Sequence, residues 1–246
     1  MPRLHLTFLL MLVVFPIRIP AQKGAISPAT TSNTSDGRAL NAPYSAKRRF
    51  TSVEKLADGT TRSTESGGSE ARDSLGRTYS AGERHWTYVE HGKPVLKSEV
   101  LYRIEDPVSS TETRWDSTSK EAKVVHWPKE VTGTTACDSC GAFLSDVPGT
   151  VVEKLGVGTI GGVVAEGTRS SYTTAGAQGQ GTSALSVVHE SWYCTELKIV
   201  ILETNDDPRS GTWRNELVDI VRGEPDVTNY RPPADYVIHD VRVPPR

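Results

Sequence analysis

The chain has 246 residues, with 28 Lys and Arg against 30 Asp and Glu and a formal net charge of −2. That balance excludes the concentrated basic patch on which nucleic-acid binding rests. Three cysteines are too few for a disulfide-built scaffold, so apolar burial must carry the fold of a chain this long.

The N-terminus, MPRLHLTFLLMLVVFPIRIPA, places Arg3 before an apolar run from Leu4 to Phe15 and ends in Ile19-Pro20-Ala21. The run is shorter than the roughly 20 residues needed to span a bilayer. Its flanks fit a secretory signal peptide, residues 1–21, with a small residue at the cleavage position. No cysteine follows that position, so a lipoprotein anchor is not supported. Removal takes away Arg3 and Arg18 and no acid, moving the formal charge from −2 to −4. No later run is long and apolar enough to span. The expectation is an exported protein, periplasmic or extracellular, with no transmembrane segment after signal removal.

Residues 22–43, QKGAISPATTSNTSDGRALNAP, are small and polar with no apolar period, which reads as a disordered spacer. Lys47-Arg48-Arg49 then stands beside a strand start, where such clusters discourage strand-to-strand aggregation. From residue 44 to 246 the dominant period is two. Val100, Tyr102 and Ile104 alternate with Leu101, Arg103 and Glu105. Val188, Glu190, Trp192 and Cys194 alternate with Val187, His189, Ser191 and Tyr193. Leu197, Ile199 and Ile201 alternate with Lys198, Val200 and Leu202, and Trp213, Leu217 and Val221 can share a face opposite Arg214, Val218 and Ile220. Val, Ile, Thr, Tyr and Trp in this pattern suit half-buried strands. Asp58-Gly59 and Gly161-Gly162 are two-residue hairpin signals. His91-Gly92-Lys93-Pro94 and the stretch from Asp206 to Gly211 read as longer loops. No segment carries a 3.6-residue apolar period with caps. The predicted fold is mostly β and antiparallel, a curved sheet, half-barrel or sandwich of about ten or more strands with little helix. One domain over 44–246 is expected, with a soft division near 133–149.

Within that division, TACDSCG holds Cys137 and Cys140 at C-x-x-C spacing, and Cys194 follows in a later strand. A zinc site needs four ligands at about 2.0–2.3 Å. His189 is the obvious fourth, but residues five apart in a strand lie roughly 17 Å apart and face opposite ways. A thioredoxin-like centre needs its first cysteine at a helix N-terminus after a buried strand, and KEVTGTTA is polar and glycine-broken. An oxidising compartment makes a structural disulfide the default. Cys137 to Cys140 closes a tiny ring worth roughly 2 kcal/mol, whereas joining either to Cys194 closes about 55 residues, worth roughly 4 kcal/mol. Both pairings stay open.

Gly156-Val157-Gly158-Thr159-Ile160-Gly161 matches G-x-G-x-x-G, but a strand pattern follows it and 175–181, AGAQGQG, offers no acid for a ribose. A hairpin is the better reading. The 175–181 segment also lacks the Lys-Ser/Thr of a P-loop. There is no G-x-S-x-G elbow and no H-E-x-x-H helix. His189 and Glu190 are strand neighbours that point to opposite faces. The five tryptophans, Trp86, Trp115, Trp127, Trp192 and Trp213, are ligand-lining candidates for a concave sheet, or else core side chains.

LGVGTIGGVVAEGTR, ESWYCTELKIVILETNDDPRSGTWRNELVDIVRGEPD and PPADYVI, with the upstream ADGTTRSTESGGSEARDSLGRTYSAGER, resemble a group of secreted bacterial proteins of unknown function. The resemblance covers roughly residues 44–240. Where that group carries a small polar residue after the W-Y pair, this chain has Cys194, so the cysteines look like a local addition. The strand rhythm is more faintly similar to lipoprotein-carrier and sigma-factor-regulator half-barrels, which implies a concave antiparallel sheet holding lipid or acyl chains. The resulting expectation is a non-enzymatic extracytoplasmic binding module for an apolar, lipid-like ligand or an envelope partner. Two alternatives stand beside it: a structural or protein-interaction domain of the cell envelope, and a thiol, disulfide or metal protein centred on the C-x-x-C. No catalytic residue, cofactor or metal ligand set is assigned, and no nucleic acid is expected as a partner.

Overall fold

Period-two segments separated by turn residues build one twelve-stranded sheet in the computed structural model, which describes residues 39–126, 147–174 and 184–242. A first meander runs through β1 (Tyr44–Lys55), β2 (Thr61–Arg72), β3 (Thr78–Glu90), β4 (Lys93–Asp106), β5 (Thr111–Asp116) and β6 (Glu121–His126). A second runs through β7 (Val151–Ile160), β8 (Val163–Thr174), β9 (Leu185–Cys194), β10 (Ile199–Asp207) and β11 (Gly211–Arg222). The two join where β1 pairs with β11, and a last strand, β12 (Val237–Arg242), returns to lie parallel to β6. The sheet order is β12-β6-β5-β4-β3-β2-β1-β11-β10-β9-β8-β7, antiparallel everywhere except at β12. The fold is therefore the mostly β, antiparallel and curved sheet that the alternation predicts, with one 3-10 turn at Val227–Tyr230 among the described residues.

Turn chemistry sets the register. Gly161 and Gly162 close β7 to β8 with φ of 59° and 82°, the two positive values that a type I′ hairpin needs. His91 and Gly92 do the same between β3 and β4, at 49° and 75°. This connection is thus a two-residue turn and not the longer loop expected, because Lys93 and Pro94 already belong to β4. Asp206 and Asp207 likewise extend β10 and shorten the next loop to three residues.

Two bulges revise the faces read from alternation alone. Between Ser45 and Lys47 the register of β1 slips against β11, and Asp219 takes a φ of 54°. A bulge inserts a residue and reverses the faces beyond it. Ile220 consequently packs on the core while Val221 is 61% exposed, so Val221 does not share the buried face of Leu217. A second slip, between Val200 and Leu202 of β10, buries both Ile201 and Leu202.

The first core joins Tyr44 and Ala46 of β1, Leu217 of β11, Ile199 and Ile201 of β10, Cys194 of β9, and Val163 and Ala165 of β8. In a flat sheet β8 and β1 would lie four spacings apart, about 19 Å. Their side chains share one cluster because the sheet curls. The hairpin tip proves the closeness: a Cβ on Gly161 would stand 2.8 Å from the Leu217 carbonyl oxygen. Trp192 fills the inside of the curl by laying its indole across β7 and β8. A Cβ on Gly158 or on Gly167 would meet that ring at 2.9 Å. In LGVGTIGG, Gly161 and Gly162 thus serve the hairpin and Gly158 the indole above it.

A second core forms at the other wing from Ile104, Trp115 and Ala122, with Tyr79 and Tyr102 beside them. It is closed by the segment that leads from β11 to β12, whose Tyr230 and Tyr236 pack on the cluster. Arg77 stacks over the Tyr230 ring at 4.8 Å, and the Tyr236 hydroxyl donates to the Asp116 carbonyl at 2.9 Å. Between the cores the sheet carries a buried polar group. The Tyr44 hydroxyl and the Arg48 Nε donate to the Glu70 carboxylate at 2.7 and 2.8 Å. Arg72, 2% exposed, donates to the carbonyls of Ala42 and Leu197. Asn41 and Pro43 are also hydrogen-bonded into the fold, through Ser74 and Gly223.

Candidate functional site

The face of β8–β10 that carries Val163, Ala165, Trp192, Cys194 and Ile199 continues along the strands, away from the first core, into an open groove. Strand pairing lines up one cross-strand row there: Thr51 of β1, Arg214 of β11, Thr204 of β10, Glu190 of β9, Arg169 of β8 and Glu153 of β7. Residues opposite one another in an antiparallel ladder share a face, and those two positions along a strand share it too. The neighbouring row therefore adds Val53, Thr212, Asp206 and Val188. All of these residues except Glu153 line the groove, which has a volume of about 520 Å³.

Paired charges organise its floor. Arg169 donates from Nε to Glu190 at 2.8 Å and reaches Glu153 at 3.4 Å. Arg214 donates to Glu216 at 2.6 Å, and Arg49 donates from Nε to the same carboxylate at 2.8 Å. The hydrogen bonds from Arg214 and then Arg49 hold the Glu216 carboxyl below the usual range, against the opposing effect of burial. Glu190 holds the Arg169 guanidinium above its ordinary value. Glu216 and Arg169 are thereby held in their charged forms near neutral pH, and the paired side chains offer donors, acceptors and dipoles. Val53 and Val188 supply the apolar portion of the wall.

Of the five tryptophans, Trp213 borders this groove, but alternation turns its ring to the other face of β11. There it stacks on Phe50 at 6.4 Å and stands 5.9 Å from the His189 ring. His189 is buried, and burial pulls its pKa below the ordinary 6.5. Trp115 stacks on Tyr102 at 5.1 Å inside the second core. Trp192 covers the glycines of β7 and β8. Trp86 lies on the β3–β4 hairpin under the Arg84 guanidinium, 5.2 Å from its ring centroid. These four occupy four separate places, and Trp127 lies outside the described residues.

Cys194 is fully buried with a free thiol. Its side chain packs in the first core as a small apolar group. Cys137 and Cys140 lie outside the described residues, as does the 175–181 segment. Among the described residues no group of three or more His, Cys, Asp or Glu side chains is arranged to hold a metal ion.

The groove residues Thr51, Arg169, Glu190, Thr204 and Arg214 were not singled out from the sequence. Their one sequence signal is polarity at positions alternating with buried ones. The register that brings five strands' worth of such positions into one row is tertiary information.

No family model and no curated protein matches the chain. Among solved structures it is similar to LprF from Mycobacterium bovis at 12% identity and a TM-score of 0.34, covering 78% of this chain and 89% of that one. A DUF1329 family protein from Desulfovibrio piger matches at 11% identity and a TM-score of 0.17, over 74% and 85% of the two chains. A domain described as an outer membrane lipoprotein-sorting protein, from Vibrio parahaemolyticus, matches at 8% identity and 0.19, over 77% and 89%. At these TM-scores the likenesses carry no argument about this chain's ligand.

Proposed function

We propose that this chain is a non-enzymatic binding module, exported by its N-terminal signal, that holds an elongated amphiphilic ligand in the groove across β1 and β8–β11. The observation that carries the reading is the groove itself: about 520 Å³ on the same face of the sheet as the first core, within the range of small-molecule sites. Its wall divides the ligand's chemistry. An acyl or other apolar portion lies against Val53 and Val188, and polar groups meet Thr51, Thr204 and the Arg169–Glu190 and Arg214–Glu216 pairs. This polarity favours an amphiphile over a bare hydrocarbon. The Glu216 carboxylate and the Arg169 guanidinium, each held in its charged form by its partner, position a ligand but exchange no proton near neutral pH, which supports binding over acid–base catalysis at those two groups.

The test is native mass spectrometry of the protein recovered from its own compartment, joined to titration with a dansyl-labelled C11 fatty acid. A co-purifying amphiphile and micromolar probe binding are expected. T204W, which fills the middle of the groove, should weaken probe binding at least tenfold with an unchanged circular dichroism spectrum. Absence of both adduct and probe binding, or equal binding by T204W, overturns the reading.

A further inference from the structure

The β3–β4 hairpin outruns its neighbours on both sides. β2 pairs with β3 only from Thr78 to Gly82, and β5 pairs with β4 only from Leu101 to Asp106. Among the described residues, 83–90 and 93–99 therefore form a two-stranded ribbon with no further strand on either edge, about eight residues or roughly 26 Å long. Val89 and Leu96 stand on it 72% and 70% exposed. We infer that this ribbon is a self-association surface, and that its occupant is the β4 edge of a second copy of this chain in an antiparallel two-fold pair centred on Leu96.

Backbone direction is the first argument. Val100 turns both its N–H and its carbonyl toward the β5 side, to the Ser117 hydroxyl at 3.0 Å and from the Ser117 N–H at 2.9 Å. Backbone groups alternate sides along a strand, so Ser98, Leu96 and Pro94 present theirs on the same edge, beyond the end of β5. Centring the two-fold on Leu96 makes that residue a reciprocal hydrogen-bonded pair with its own copy. It also sets the Ser98 N–H opposite the Pro94 carbonyl, twice. Pro94 has no N–H to offer, and an edge position turned outward is where a strand tolerates proline.

Charge complementarity is the second. Within the ribbon Glu90 stands opposite Lys93 and Arg84 opposite Glu99, where the two form an ion pair. The Leu96-centred register puts Lys93 opposite Glu99 of the partner copy. The resulting row across four strands reads Glu90, Lys93, then Glu99 and Arg84 of the second copy, alternating in sign, and the two-fold repeats it at the other end. On the same face Lys97 lies over the Tyr88 ring at 4.9 Å and Arg84 over Trp86, so aromatic and cationic groups flank the new seam. On the other face Leu96 meets Leu96 of the copy. A register shifted by two residues in either direction loses these oppositions. An edge this short buries less than the roughly 1,600 Å² of a standard interface, so a weak dimer is expected, with a dissociation constant on the order of 10–100 μM.

Sedimentation equilibrium from 5 to 500 μM tests the proposal. A concentration-dependent monomer–dimer equilibrium is expected. K93E and E99K should each weaken self-association about tenfold or more by placing like charges opposite one another, and an equimolar mixture of the two should dimerise again. L96C should form an intermolecular disulfide under mild oxidation while T87C on the neighbouring strand does not, since hydrogen-bonded partners lie ~5.5 Å apart at Cα. Thermal melts of each variant confirm that the ribbon's host sheet stays folded. A strict monomer at 500 μM overturns the inference. So does a dimer that K93E leaves intact, or one that the mixture of K93E and E99K fails to restore.

Discussion

Arg72 gives the sharpest energetic test of how the two wings are tied together. Its guanidinium donates to the Ala42 carbonyl at 2.9 and 3.2 Å, and to the Leu197 carbonyl from the turn between β9 and β10. It also lies 5.1 Å from the centroid of the Tyr44 ring. Both acceptors belong to buried residues, so R72A leaves two carbonyls without their donor at about 1–3 kcal/mol each. Loss of the cation–π contact adds about 1 kcal/mol. Relief of the buried charge offsets part of this, and the expected net loss is about 4 kcal/mol. For a domain of about 200 residues that lowers Tm by roughly 8–16 °C, and a typical domain stability of about 5–15 kcal/mol leaves the variant folded at room temperature. Urea unfolding followed by tryptophan fluorescence measures it. R72M keeps the aliphatic stem and loses the donors, so it should fall nearly as far as R72A, while R72K, with one donor directed at either carbonyl, should recover about half. R72A and R72M within 1 kcal/mol of the parent would refute the role given to this side chain.

Two further outcomes follow from the same geometry. Burial lowers the pKa of His189, so just below pH 6.5 the unfolded chain binds more protons than the folded one. Stability should be full above that pH and fall as the pH drops toward the folded value; H189Q should flatten the profile of urea midpoints between pH 7.5 and 5, and equal slopes would contradict the assignment. Gly211 has a φ of 114°, and a Cβ there would stand 1.9 Å from the Val53 carbonyl oxygen, whereas Gly59, at 84°, faces open space. G211A should therefore cost about 3 kcal/mol or more in thermal or urea unfolding and G59A about 1 kcal/mol, and equal losses would count against the close approach of β11 to β1.

Much of the fold was legible because it is local. Alternation in Val100–Ile104 and Val187–Cys194 reports one side chain per face at each step. Glycine pairs such as Gly161-Gly162 report a backbone that only a tight hairpin accepts. The errors came from single inserted residues: the bulges at β11 and β10 move Val221 outward and Leu202 inward, and no composition signal marks them. The candidate site was less legible. Aromatic residues drew attention, yet Trp115 and Trp192 fill cores, and the ring of Trp213 turns away from the groove it borders.

The sequence by itself determined the export signal as an expectation, the β class and the positions of most turns, since each depends on residues close together in the chain. Only the tertiary structure decided that β1 pairs with β11, that the sheet curls until Gly161 approaches Leu217, and that Thr51, Arg214, Thr204, Glu190 and Arg169 stand in one row. The β1–β11 pairing joins segments more than 150 residues apart, and the curl brings Gly161 onto Leu217 from across the intervening β9 and β10. Those contacts are chosen by the packing of the whole core, so no short stretch of sequence contains them.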